Sequence, residues 1–286
     1  MTDDRTTHAL RGEDLDLAHG GRRVVEGATL AVVPGRVTTL VGPNGSGKST
    51  LLRALARLHP PVGGDVVFDD GATARTLSAR DFARRVTLLA QQRATPAGVS
   101  VVDVVGYGRY PHRSRLRGTD PGAGEAIARA LALTGLEALD GRAVDSLSGG
   151  ELQRVWLASC LAQDTRVLLL DEPTTYLDLR YQVEVLDLVR DLADDHGVAV
   201  GVVLHDLDQA AAVADTVALL HAGRIRDVGA PSAVLTAEAL TDTYGIRVDV
   251  TVDHGTGRVT TRPVGRHADR HVAVRPRTTT TERTPA

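Results

Sequence analysis

Lysine is almost missing: of the 33 lysine and arginine residues, only Lys48 is a lysine. Cysteine, methionine and tryptophan occur once each and phenylalanine twice. The single cysteine, Cys160, excludes an internal disulfide and fits a reducing compartment. No apolar run approaches the ~20 residues a membrane-spanning helix needs, and stretches such as Val198–Leu204 stop far short. The opening "MTDDRTTHALRGED" is charged and lacks an apolar centre, so it does not read as a secretory signal. Positive charge is not in excess either. The formal net charge is −3, and no nucleic-acid partner is expected, since that calls for a strongly basic face.

What is present is an ordinary globular composition, 42% hydrophobic and 24% charged over 286 residues, enough to bury a substantial core. Short apolar runs alternate with helical patterns, the pattern of a mostly parallel sheet with helices on its faces. "RVTTLVG" at Arg36–Gly42 reads as a strand, and "STLLRALARL" as a helix with apolar positions at Leu51, Leu55 and Leu58. "RVLLLDEP" and "VAVGVVLHD" read as two further strands, ending in carboxylates and in a histidine. β-rich runs vanish between Arg93 and Ser146, and "GEAIARALALTGLEAL" reads as helix. A helical subdomain inserted over roughly 93–160 is therefore expected within one domain spanning 1–266. Residues 267–286, rich in Arg, Thr and Pro, cannot bury much and are expected to be disordered.

Gly42-x-x-x-x-Gly47-Lys48-Ser49 matches the P-loop pattern in its required setting, after a strand and before a helix. Backbone N–H groups along Gly42, Pro43, Asn44, Gly45, Ser46 and Gly47 can turn inward on phosphate oxygens at a helix N-terminus, Pro43 supplying shape and not a donor. Lys48 offers a compact charge for the β- and γ-phosphates, where the planar fork of arginine would not fit. Ser49 is expected on Mg²⁺ and Thr50 near the α-phosphate, so ATP with Mg²⁺ is the predicted occupant. A chance turn before a helix would not place the one lysine of the chain there.

Four apolar residues, Val167–Leu170, deliver Asp171 and Glu172 to the carboxyl end of a strand, the edge where α/β sheets bind ligands. Asp171 is then a partner of Mg²⁺, and Glu172 the candidate general base on an attacking water. His205 ends a later strand, where it can contact a γ-phosphate. Gln91 follows "RVTLLA" and can ligate Mg²⁺ or position water without adding charge. Taken singly, a DEP turn, a strand-end histidine or a glutamine means little.

"LSGGE" has a plain structural reading. Ser148-Gly-Gly-Glu151 is a capping box opening a helix on which Leu152, Val155, Trp156 and Cys160 share one face. Two adjacent glycines nevertheless weaken a helix start, by up to ~1 kcal/mol each. Bare N–H groups that must approach an anion would explain them. The chain has one P-loop, so a twofold dimer in which each turn closes on the partner's nucleotide is the consistent solution.

In order and spacing, "GPNGSGKST", "LLAQQ", "LSGGE", "VLLLDEP", "TYLD" and "LHD" resemble the six motifs of ABC transporter ATPase subunits: Walker A, Q-loop, signature, Walker B, D-loop and H-loop. The resemblance covers roughly Ala9 to Asp253. It implies an ABC-type P-loop NTPase core with an antiparallel β region and a helical subdomain. It also implies a homodimer with ATP held between the P-loop and, in trans, Ser148, Gly149, Gly150, Glu151 and Asp178. Integral permease subunits, and indirectly a substrate-binding protein, are the implied partners, at the cytoplasmic face of the membrane. The family usually has glutamine where this chain has Glu151, which is harmless if its carboxylate turns back onto Ser148. The aromatic position that stacks on adenine aligns with His19, with Val24 packing nearby.

"VVGYGRYPHRS" and "DEPTTYLD" are similar to the importers of ferric siderophores, haem and cobalamin, the siderophore branch above all. "GRYPHRS" by itself shows an irregular basic-aromatic loop, and His112 has no second ligand at metal-site spacing. A small-molecule kinase would not explain the signature turn. Soluble repair-type relatives carry long coiled-coil insertions, and ribosomal types carry two cassettes. Neither fits this length, while an exporter ATPase shares every motif.

Overall fold

The computed structural model describes residues 8–91, 95–114, 118–253 and 255–265. The expected disorder of 267–286 lies outside them. In chain order the first elements are β1 (Leu10–His19), β2 (Arg22–Val32), β3 (Val37–Val41), α1 (Lys48–Leu55), β4 (Gly63–Phe68), α2 (Ala79–Ala83) and β5 (Val86–Leu89). There follow α3 (Val101–Gly106), α4 (Ala123–Leu133), α5 (Gly149–Ala162), β6 (Val167–Asp171), α6 (Leu179–Asp194), β7 (Ala199–Val203) and α7 (Leu207–Val213). The last are β8 (Thr216–His221), β9 (Arg224–Gly229), α8 (Pro231–Val234), α9 (Ala237–Tyr244), β10 (Val248–Val252) and β11 (Val259–Pro263).

The central sheet has the order β5-β6-β7-β3-β8-β9, parallel except for β9. Its strands β3, β6 and β7 are buried on both faces, which is why β6 and β7 read as near-continuous apolar runs and not as alternations, while β3 buries Thr38 and Thr39 among its apolar residues. A second, antiparallel sheet, β2-β1-β4, packs with α1 over one face, and a small β10-β11 ribbon follows α9. Both sheets of the expected ABC architecture are thus present. Because β5, β6, β7 and β3 run the same way side by side, Gln91, Glu172, His205 and Gly42 all emerge at one edge.

Three apolar clusters hold these layers. One lies between the sheets around Leu15, Leu40, Leu52 and Leu169, and a second lies under α6 and α7. The third joins α3, α4 and α5 around Val104, Leu136 and Val155. Leu169 is fully buried on β6, and a Cβ at neighbouring Gly201 would come within 2.8 Å of its Cδ2. Leu169→Ala should therefore leave a void and lower unfolding free energy by about 2–5 kcal/mol, read by chemical denaturation.

Several local expectations are corrected. α1 stops at Leu55 because Arg57 turns to φ +58°, and Leu58 lies outside it, 67% exposed. "GEAIARALALTGLEAL" is not one helix: α4 ends before Gly135, whose φ of +62° breaks it, and a short 3₁₀ turn Glu137–Leu139 follows. Tyr107–His112 is a 3₁₀ helix and not an irregular loop. Arg109 within it is buried against Asp120 (2.7 Å), and His112 Nε2 bonds the Gln163 carbonyl (2.7 Å). α5 is buried on more than the face of Leu152, Val155, Trp156 and Cys160: Val155 and Ala158 join the helical cluster while Leu157 and Cys160 join the core under α6.

Candidate active site

The loop between β3 and α1 is shaped by two glycines that no other residue could replace. Gly42 has φ +145°, and a Cβ there would lie 2.1 Å from the Leu220 carbonyl oxygen. Gly47, the N-cap of α1, has φ +104°, and its Cβ would meet Val25 Cγ2 at 2.7 Å and the Val24 carbonyl oxygen at 3.0 Å. The result is a backbone cradle at a helix N-terminus, the geometry that takes phosphate oxygens. Asn44, Gly45, Gly47, Lys48, Ser49 and Thr50 line one cleft of about 140 Å³ together with Glu172 and His205.

Lys48 is only 5% exposed, and its Nζ donates to the carbonyls of Gly42 (2.7 Å) and Pro43 (3.0 Å). Burial pulls its ammonium below the usual lysine range, opposed by the charges of Glu172 and Asp171. Ser49 Oγ donates to Asp171 Oδ1 at 2.8 Å. Asp171 Oδ2 is buried and accepts no hydrogen bond among the described residues; Arg53 Nη2 stands 3.5 Å away. Burial pushes the Asp171 carboxyl up, with the Ser49 hydrogen bond and Arg53 acting against it. A buried carboxylate oxygen without a donor beside a serine hydroxyl is an oxygen set that suits a hard divalent cation.

Glu172 has φ +55°, an uncommon value for a side chain of this size, held by its N–H on the Val203 carbonyl (3.2 Å). The turn carries its carboxylate between the ends of β5 and β7. His205 Nε2 lies 2.6 Å from Oε1, Gln91 Nε2 donates to Oε2, and Thr175 Oγ1 reaches Oε2 at 3.3 Å. The side chain is 10% exposed, and that of His205 43%. A carboxylate anchored on both oxygens at the mouth of a phosphate cradle can accept a proton from a water there.

Not every expected residue joins this cleft. His19 is exposed and stacks on His59, ring centroids 6.5 Å apart, and does not line the cleft; nor does Val24, whose carbonyl oxygen packs behind Gly47. Ser46 keeps a buried hydroxyl with no hydrogen-bond partner among the described residues. Ser148, Gly149, Gly150, Glu151 and Asp178 also lie outside the cleft. Ser148 and Glu151 form the full capping box. The Ser148 N–H and Oγ both donate to Glu151 Oε2 at 2.8 Å, and the Glu151 carboxyl is held below its ordinary range mainly by that backbone bond. Asp178 caps α6 through the Tyr181 N–H at 3.2 Å. The two glycines have different reasons. A Cβ at Gly150 would sit 2.6 Å from the Tyr181 ring, whereas one at Gly149 would meet nothing within 4 Å.

Three contributors carried little or no signal in the sequence. Arg53 lies four residues after Ser49 on α1, a spacing that puts both on one face. Thr175 follows Glu172 by three. Tyr244, from α9, hydrogen-bonds the Gly42 backbone, and burial pushes its hydroxyl up to about 12; nothing in "TDTYGI" marks it.

A glycine cradle on a parallel sheet, with a lysine, two strand-end carboxylates and a histidine at the same edge, defines a P-loop nucleotide hydrolase. Residues 25–175 match the model of the ABC transporter family. The ferric enterobactin transport ATP-binding protein of Escherichia coli (strain K12) is 42% identical over 262 residues, 91% of this chain and 95% of that protein. The petrobactin import ATP-binding protein of Bacillus anthracis is 42% identical over 236 residues, 82% of this chain and 85% of that one. A solved chain of an inward-facing ABC transporter superposes with a TM-score of 0.78 at 27% identity, covering 91% of this chain and 99% of that one. The chain belongs to the ABC transporter ATP-binding family, binds nucleotide and is an ATPase. Among the described residues no helix is long and apolar enough to cross a membrane, and no cluster of three His, Cys, Asp or Glu side chains could hold a metal ion.

Proposed function

We propose that the chain is the ATP-hydrolysing motor of an importer for a ferric siderophore or related metal chelate. It works as a homodimer at the cytoplasmic face of the membrane, beneath separate permease subunits fed by a substrate-binding protein. The observation that carries the hydrolytic part is the Glu172 carboxylate, held by Gln91 and His205 at the mouth of the P-loop cleft. The import part is supported by likeness to the enterobactin and petrobactin importers.

In this reading Lys48 exchanges its two carbonyl partners for β- and γ-phosphate oxygens. Glu172 takes a proton from the attacking water, while Gln91 and His205 hold its carboxylate in place, His205 facing the γ-phosphate. Ser49, Asp171 and Gln91 supply the oxygens for Mg²⁺, which when bound neutralises phosphate charge. The Ser148–Glu151 turn and Asp178 act on the partner's nucleotide. The exposed Gly149 offers its backbone there, and the Glu151 carboxylate, tied to Ser148, does not face the anion. His19 is the platform for adenine.

Radio-iron uptake, supplied as several ferric siderophores, tests the reading in cells lacking this gene. Uptake should return with the wild-type chain and not with Glu172→Gln, and the compound restored names the substrate. Uptake that never depends on the gene would remove the iron reading and turn the test to labelled cobalamin and haem.

A further inference from the structure

Between α6 and α7 three side chains form a hydrogen-bond chain with no part in the chemistry above. Thr174 Oγ1 donates to Gln209 Oε1 (3.3 Å), Gln209 Nε2 to Gln182 Oε1 (2.7 Å), and Gln182 Nε2 to the Leu177 carbonyl (2.9 Å). A carbonyl only accepts, so Leu177 obliges Gln182 to present its NH₂. Gln182 then has only its oxygen for Gln209, which must in turn present its own NH₂. The chain is polarised, and neither amide can be turned over without breaking it.

Its ends matter. Thr174 stands two residues after Glu172, and Leu177 immediately precedes Asp178. Gln209 sits in the first turn of α7, where its N–H is capped by Asp206 (2.9 Å), the residue after His205. The backbone closes the same circuit, with the Leu177 N–H on the Thr174 carbonyl at 3.3 Å. All three side chains are partly or fully shielded from solvent, where an unmade hydrogen bond is costly. The strand end carrying His205 is thus joined to α7, and α7 is joined through two amides to the carbonyl next to Asp178.

We propose that Gln182 and Gln209 are positioning residues that transmit the state of the Glu172–His205 pair to Asp178, and so to the second nucleotide site of the dimer. The proposal rests on the reading that Asp178 acts across a twofold dimer.

ATP hydrolysis by the full chain, followed against ATP concentration, tests it with Gln182→Leu, Gln209→Leu, the double variant and Thr174→Val. Each single variant should bring the Hill coefficient from about 2 to about 1. Turnover should fall about tenfold, with half-saturating ATP within about twofold of wild type. The double variant should be no worse than either single one, because one broken link already opens the chain. In a Glu172→Gln background the same changes should reduce the ATP-dependent dimer seen by sedimentation. Thr261→Val is the control: it removes a different hydrogen bond to α7, from Thr261 Oγ1 to Asp208 Oδ1 (2.9 Å), and should leave the Hill coefficient unchanged. Wild-type cooperativity in the glutamine variants, losses that multiply in the double variant, or an equal loss in Thr261→Val would overturn the relay alone. A wild-type chain with a Hill coefficient of about 1 whose Glu172→Gln form never dimerises with ATP would remove the dimer reading, and the relay with it.

Discussion

Replacing Glu172 with glutamine should lower ATP turnover by about 100- to 10,000-fold, the usual contribution of a positioned base, while ATP still binds. The substitution keeps the shape of the side chain and removes its ability to take a proton. Its neighbours can re-pair around the amide: oxygen remains for His205, and the new NH₂ can face Gln91 once that side chain turns its own oxygen inward. Folding stability should therefore change little, which separates this variant from one that fails structurally. With cleavage blocked, the ATP-bound dimer should accumulate and be visible by sedimentation. Unchanged turnover would sink the assignment of Glu172 as base.

Lys48→Ala should act one step earlier, on binding. The ammonium is nearly enclosed and faces two carbonyl oxygens; burial lowers its proton affinity, and the charges of Glu172 and Asp171 oppose that. Truncation removes the lysine charge at the bottom of the cradle and leaves Asp171 and Glu172 to repel a polyphosphate. A loss of about 2–5 kcal/mol, or about 30- to several thousand-fold in ATP affinity, is expected by calorimetric titration. Lys48→Arg should not restore binding, since a planar fork cannot occupy the space between Gly42 and Pro43. Retained micromolar affinity in the alanine variant would refute the role given to the loop.

Both predictions use residues that are legible in the sequence. Gly42 to Thr50, Asp171, Glu172, His205 and the Ser148–Glu151 box stand in runs whose chemistry is local: a loop before a helix, charges after an apolar strand, a cap three residues from its partner. The parallel order that gathers them at one edge followed from the same alternation of strands and helices. What escaped was set by the third dimension. The end of α1 before Leu58 depends on a left-handed Arg57, and the break after Leu133 on Gly135, neither of which an apolar count registers. The two glycines of the signature turn look alike in the sequence, yet Tyr181, some thirty positions away, accounts for one of them. The pairing of His19 with His59 depends on how β1 lies beside the chain leaving α1, a register no motif encodes.

The scarcity of lysine gives the buried Lys48 a practical meaning. Every other side-chain cation here is a guanidinium or an imidazole, so the chain carries a single ε-amine, tied to two backbone carbonyls at the base of the phosphate cradle. Amine-acylating reagents therefore have a single lysine to mark, apart from the terminal α-amine. The extent of the mark on Lys48 then reports on access to the base of the cradle, without a tag or a designed cysteine.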